Sequence, residues 1–154
     1  MKKKSDSLIT KNKKAFFDYE MIDSWEAGII LKWHETKSIR HWHVNLKWAF
    51  LSIMSWEIYL KYLNITAWKA LSNRSALETD APRKVLLHKK TIEYLTQKSK
   101  EGWYTIIPTE MYFKGSLIKV RVALAKWKKA HQKKQVLKER AMDKSAKLAM
   151  KKYI

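Results

Sequence analysis

Cysteine is absent from the 154 residues, which excludes disulfide scaffolds, thiolate nucleophiles and cysteine-held zinc ribbons. Glycine is almost as scarce, at 3 residues, about 2 % where roughly 7 % is usual. No glycine-rich phosphate loop can be built from so few. Acidic residues number 14 against 33 Lys and Arg, a net charge of +19. Long apolar runs are missing too: the longest, Trp48–Met54, falls far short of the roughly 20 residues of a membrane span. The first ten residues, MKKKSDSLIT, are basic, but no apolar segment follows as a secretory leader requires. These absences predict a soluble, cytoplasmic protein without a membrane partner. The length predicts one domain, or one domain with a tail.

What is present is positive charge, unevenly placed. Residues 1–14 carry six Lys against Asp6, and residues 126–154 carry eleven Lys and Arg against Glu139 and Asp143. The ends therefore hold +14 of the +19 in 43 residues. A run this dense repels itself unless a polyanion neutralises it. The pattern predicts a basic, flexible N-terminus over 1–11, a moderately basic core over 12–125 and a basic tail over 126–154. The partner is polyanionic, a nucleic acid or an anionic surface.

The core reads mainly as strands. In Leu117–Ala125 (LIKVRVALA) the residues Ile118, Val120, Val122 and Leu124 share one face, and Lys119 and Arg121 share the other. That is the period of a half-buried strand with a basic outer side. Ala27–Lys32, Val44–Met54 and Glu57–Leu60 are further candidates. Tyr104–Ile107 reads as a strand stopped by Pro108, and Met111–Lys114 leads into a turn at Gly115–Ser116. Short, closely spaced strands favour a small closed barrel. Helices are expected over Asn12–Tyr19, with Asn12 as cap, and over Thr91–Lys100. The tail, Lys126–Lys152, is rich in helix formers. Its apolar residues Val136, Leu137, Ala141 and Leu148 make only a thin stripe, which predicts disorder alone and a helix when bound.

Catalytic chemistry is hard to find. His41 and His43 could ligate a metal only if His34 joined them, and no acidic cluster supports that; a basic turn is the simpler reading. No Ser/His/Asp constellation appears, and Glu20 and Asp23 read as surface carboxylates. The expectation is a protein that is not an enzyme, with no cofactor and no metal.

Five strings in one register carry a resemblance: Asn12–Tyr19 (NKKAFFDY), Glu26–Ile29 (EAGI), Glu35–Arg40 (ETKSIR) with Val44–Lys47 (VNLK), Pro82–Lys89 (PRKVLLHK), and Leu124–Lys126 (LAK) before a basic tail. Over about Asn12–Arg140 the chain resembles the small protein B (SmpB) family, the partner of transfer-messenger RNA in bacterial trans-translation. The resemblance implies a mainly β fold: an oligonucleotide-binding-type antiparallel barrel, about three flanking helices and a long basic C-terminal tail. It implies binding to the tRNA-like domain of transfer-messenger RNA, as a monomer in a 1:1 complex, and delivery of that RNA to stalled ribosomes for rescue. There the tail would reach the small-subunit decoding centre and occupy the empty mRNA channel. A general RNA chaperone, or a ribosomal structural protein with a basic barrel, is the alternative.

The residues this resemblance assigns to RNA are Asn12, Lys13, Glu26, Glu35, Lys37, Ser38, Arg40, Asn45, Arg83 and Lys84. Glu26 and Glu35 repel phosphate, so they would accept from base edges or ribose, orient neighbouring cations, or simply pair on the barrel surface. The tail residues assigned to the ribosome are Lys126, Lys128, Lys129, His131, Lys133, Lys134, Lys138 and Arg140. His131 could stack on a base. Gln132 and Lys134 stand where the family has Asp and Arg.

Tryptophan is as over-abundant as glycine is scarce, at 8 residues. Trp25 and Trp68 stand where the family tolerates aromatics. Trp33, Trp42, Trp56, Trp103 and Trp127 stand where it has glycine, and Trp48 stands at a turn position where Gly or Asp is expected. Base-stacking platforms and barrel-core residues are two readings. The third is a codon that means glycine in the source organism, translated as tryptophan; UGA means Trp in some codes and Gly in others. The tip Ser55–Trp56–Glu57 favours the third, because such a turn wants positive φ. Trp33 is expected to interrupt a strand where the barrel bends.

Overall fold

The computed structural model describes residues 7–67 and 81–152, with His131 and Lys152 described by their backbone alone. Trp68, the lysines of residues 1–6 and the last two residues lie outside the described residues. Along the chain run β1 (Ser7–Lys11), α1 (Lys13–Asp18), β2 (Tyr19–Ile29), α2 (Trp33–Arg40), β3 (Val44–Asn45), β4 (Phe50–Met54) and β5 (Glu57–Lys61). They are followed by β6 (Asn64–Ile65), β7 (Arg83–Leu86), α3 (Lys89–Ser99), β8 (Tyr104–Lys114), β9 (Leu117–Trp127) and α4 (Ala130–Lys152).

The main sheet runs β8–β4–β5–β7–β2–β9, and β9 pairs back with β8 to close a barrel of antiparallel strands. The alternation in β9 does what its sequence says: Val120, Val122 and Leu124 are wholly buried, and Ile118 is partly so. Its far end departs from that pattern. Ala123 and Ala125 are buried as well, and α1 lays Ala15 over Ala125 and Ile107. Small side chains on that face let the helix sit close. Ile39 of α2 and Leu95 of α3 are fully buried in the cluster that fills the barrel.

Several expectations are corrected. Ser7–Lys11 is no loose extension: it pairs with β8, Leu8 opposite Tyr112 and Lys11 opposite Glu110. Pro108 does not stop β8. The strand runs on to Lys114, and a bulge between Pro108 and Glu110 absorbs the missing N–H. Val44–Met54 is broken by a turn at Leu46–Ala49, and β2 begins at Tyr19 rather than at Ala27. Trp33 lies in no strand; it opens α2, a helix whose buried face is Glu35, Ser38 and Ile39. With one apolar residue on that face, α2 shows no hydrophobic period.

Three tryptophans have left-handed backbone: Trp42 (φ 65°), Trp48 (φ 70°) and Trp56 (φ 64°). Each sits in a different motif. Trp42 follows the C-cap of α2; its N–H donates to the Ile39 carbonyl and that of His43 to the Ser38 carbonyl. Those two bonds define a Schellman motif with Trp42 at its glycine position. Trp48 is the third residue of the turn closed by Ala49 N–H to the Leu46 carbonyl, where positive φ marks a type II turn and calls for glycine. Ser55 (φ 50°) and Trp56 form the two-residue loop between β4 and β5, the primed turn that favours glycine second. At Trp33, Trp103 and Trp127 φ is not positive. Trp25, by contrast, packs partly buried against the core and against Tyr94.

Replacing Trp56 with glycine should therefore raise the unfolding free energy in urea by about 1–2 kcal/mol, the cost of a left-handed L-residue. Trp25→Ala, on the core, should lower it.

Candidate nucleic-acid interface

The site is built around a side chain that does not reach solvent. Asn12 is only 4 % exposed. Its Oδ1 accepts from the Ala15 N–H and caps α1, and its Nδ2 donates to the carbonyls of Leu46 (3.2 Å) and Pro108 (3.0 Å). Its backbone N–H donates to the carbonyl of Thr109, the residue bulged out of register in β8. One amide thus ties the start of α1 to the 46–49 turn and to the barrel wall. The result is a cleft of about 320 Å³ lined by Lys11, Lys13, Lys14, Asn45 and Lys47 beside Asn12. Lys13 and Asn45, far apart in sequence, come together here. Lys11, Lys14 and Lys47 are not among the residues assigned to RNA from sequence; Lys11 and Lys14 flank ones that are, and Lys47 lies two residues from Asn45. In the 46–49 turn, Asn45 Oδ1 accepts from the Lys47 N–H at 2.9 Å.

The strings around α2 divide into an inner and an outer set. Glu35, Ser38 and Arg83 are buried. Glu35 Oε1 lies 3.4 Å from both Arg83 Nε and Nη2, its Oε2 accepts from the Lys32 N–H, and Arg83 Nη1 donates to the Leu63 carbonyl. This is an interior ion pair joining α2 to β7. Lys37 and Arg40 are exposed on the opposite side of α2, with Lys37 5.2 Å above the ring of Trp33. Glu26 and Lys84 lie on the barrel surface. Glu26 accepts from Tyr112 Oη and from Lys114 Nζ. Those two bonds, the tyrosine's first, hold its carboxyl below the ordinary value. Lys84 pairs with Glu57 at 2.8 Å, and that bond raises its ammonium above the usual lysine value.

The tail leaves the barrel on a short set of fixed contacts. Lys128 donates its N–H to the Asp18 carbonyl and its Nζ to the Phe16 carbonyl. Gln132 Oε1 accepts from the Lys129 N–H, the backward half of a capping box that starts α4. Asp18, buried, takes Lys14 at 3.1 Å and Lys133 at 3.3 Å. Burial alone would raise its carboxyl, but the hydrogen bonds from the two lysines outweigh it and leave the pKa lowered. From Leu137 onward the described side chains are exposed, Lys138 and Arg140 among them, though Arg140 also lies 5.5 Å from the Phe17 ring. Lys126, Lys129 and Lys134 are exposed, and His131 falls in the first turn of α4. Lys126 and Trp127 belong to β9, not to the tail.

Among the described residues, no cluster of three His, Asp or Glu could hold a metal, and no helix is long and apolar enough to cross a membrane.

The profile of the SmpB protein family matches residues 9–152. Relatives named SsrA-binding protein include one from Mycoplasma mycoides, 44 % identical over 88 % of this chain and 92 % of its own length. Another, from Staphylococcus carnosus, is 40 % identical over 97 % of this chain and 96 % of its own. A solved structure described as "tmRNA-SmpB: a journey to the center of the bacterial ribosome" is similar with a TM-score of 0.65. It is 34 % identical and covers 79 % of this chain and 85 % of that one.

The inner and outer sets call for opposite outcomes. Glu35→Ala removes one partner of this buried pair and should cost about 3–5 kcal/mol in chemical denaturation. Lys37→Ala should stay within about 0.5 kcal/mol of the parent.

The Asp18 link has a definite sign with pH. Its folded pKa lies below the unfolded one, so its stabilisation is complete above the unfolded value, about 3.9, and is lost as pH falls through the lowered pKa. The NMR shifts of Lys133 should report release of the tail base in that acid window. In Asp18→Asn the release should already be present at pH 7.

Proposed function

Because the chain belongs to the SmpB protein family, we propose that it binds the tRNA-like domain of transfer-messenger RNA and delivers it to stalled ribosomes for trans-translation. The observation that carries this reading is the basic cleft beneath Asn12, with Lys11, Lys13, Lys14 and Lys47 around Asn45. Folded RNA is recognised by shape and backbone phosphate, and a cleft with four ammonium groups suits a phosphate run.

The inner and outer sets take different roles in this reading. Lys13, Lys37, Arg40 and Asn45 face the RNA. Asn12, Glu35, Ser38 and Arg83 act through them, by holding α1, α2 and the 46–49 turn where the cations are needed. Glu26 and Lys84 are each engaged with a partner on the barrel and contribute at the edge of the surface. No step in this function requires a reaction, so the protein is a carrier rather than an enzyme, and it works as a monomer in a 1:1 complex in the cytoplasm where ribosomes are.

The tail is the ribosome-facing part. Lys128 and Lys129 lead into α4, and His131, Lys133, Lys134, Lys138 and Arg140 lie along it; the described side chains of its distal half are exposed. Beyond its base, such a helix has no tertiary packing to hold it in free solution. It orders in the phosphate-lined mRNA channel, with its first turn at the small-subunit decoding centre.

One experiment tests both halves. Filter binding at fixed salt should show transfer-messenger RNA bound far more tightly than bulk tRNA. Removing residues 130–154 should leave that preference largely intact and abolish tagging on stalled ribosomes. The cut belongs after Lys129 because β9 and the Lys128 bonds lie before it. Equal affinity for bulk tRNA would favour a general RNA chaperone, and loss of RNA binding on truncation would refute the division of labour.

A further inference from the structure

The aromatic surface of this chain is anomalous in three independent ways. Trp33, Trp42, Trp48, Trp56, Trp103 and Trp127 are all 56–74 % exposed, whereas Trp25 is partly buried on the core. Exposed positions would hold so many large apolar rings only if a partner covered them, yet these six do not make one patch. They mark the start and end of α2, two tight turns, the approach to β8 and the end of β9. Trp42, Trp48 and Trp56 occupy a Schellman C′ position, the third residue of a type II turn and the second residue of a primed hairpin loop. Positive φ is found in only a few per cent of non-glycine residues, and each of these motifs selects glycine for its own geometric reason. Two of the three encoded glycines, Gly102 and Gly115, have positive φ too.

We infer that these six positions are glycine in the protein as its source organism makes it, through a codon read there as glycine and rendered here as tryptophan. Replacing six would take glycine from 3 to 9 and tryptophan from 8 to 2, so one change removes both compositional anomalies. Positive φ within a glycine-selecting motif favours it at positions 42, 48 and 56; Ser55 and Tyr62 also have positive φ, so the angle alone does not decide. At 33, 103 and 127 exposure and composition carry it.

The replacement also alters the candidate interface. Lys14 and Lys47 lie 4.6 and 5.7 Å from the Trp48 ring, Lys37 lies 5.2 Å from Trp33, and Lys133 lies 3.7 Å from Trp127. Four cations of the cleft, of α2 and of the tail base are thus held over rings that glycine would remove. In the glycine protein Lys37 and Lys47 are released toward phosphate, while Lys14 and Lys133 stay on the Asp18 carboxylate. This second consequence rests on the RNA reading above; the first does not.

The decisive measurement is mass spectrometry of the protein from its native source. The intact mass counts the replacements, and the tryptic peptides spanning 33–37, 41–47, 48–61 and 101–114 locate five of them. Glycine masses are expected, and tryptophan at these positions would overturn the inference. In parallel, a chain carrying Trp→Gly at all six positions should melt above the tryptophan form; melting below it would overturn the backbone argument. Its RNA affinity should fall more steeply with salt, by about 0.9 in log–log slope for each lysine that gains a phosphate. Equal slopes alongside glycine masses would refute only the release of the lysines.

Discussion

Asn12 holds three chain segments on one buried amide. Its side chain reaches the carbonyls of Leu46 and Pro108, 34 and 96 residues away, while capping its own helix. A buried amide left half-satisfied is costly, so the three segments are fixed together or not at all. The bulge at Thr109 serves the same end. Proline has no N–H to give the ladder, and the disrupted register leaves the carbonyls of Pro108 and Thr109 for Asn12 to bond. The lysines that flank Asn12 and Leu46 are brought to one cleft as a by-product of that bonding. Position, not local sequence, makes the cations a site.

The same economy runs through α2. A helix with a polar buried face could not dock on a barrel by hydrophobic burial alone; only Ile39 enters the core. Glu35 and Arg83 supply the remaining link as an enclosed ion pair. Breaking one partner of such a pair costs far more than forming it gains, so the pair fixes placement more than it adds stability. Lys37 and Arg40 are then presented outward on a helix that cannot slide.

The strands were legible where alternation is clean, as in β9, and the N-cap role of Asn12 was legible because Asn before a helical run has a mechanism behind it. What was hidden follows from physics that spacing does not encode. Short α2 lacks an apolar stripe, so it has no period to read. Pro108 reads as a stop because a bulge depends on tertiary partners. Asn12, Glu35, Ser38 and Arg83 stand out in the sequence, but a residue type and its neighbours do not say whether it faces RNA or the interior, and all four are buried. Lys14 and Lys47 became notable only when the cleft brought them beside Lys13. Gln132, a departure from the family's pattern, proves to cap the first turn of α4.

The closure of the barrel also sets an order of assembly. β2 pairs with β9 along most of its length, and β9 pairs with β8, so the wall stays open until residues 117–127 are available. Asn12, made among the first residues, waits for Pro108 before its amide has both acceptors. During synthesis the N-terminal lysines are therefore present long before they converge. The nascent chain emerges as scattered positive charge beside the ribosome's own RNA, and becomes a shaped surface only when its last strand is in place. Contacts of such long sequence separation slow folding, so the cleft is the last feature of the barrel to be completed.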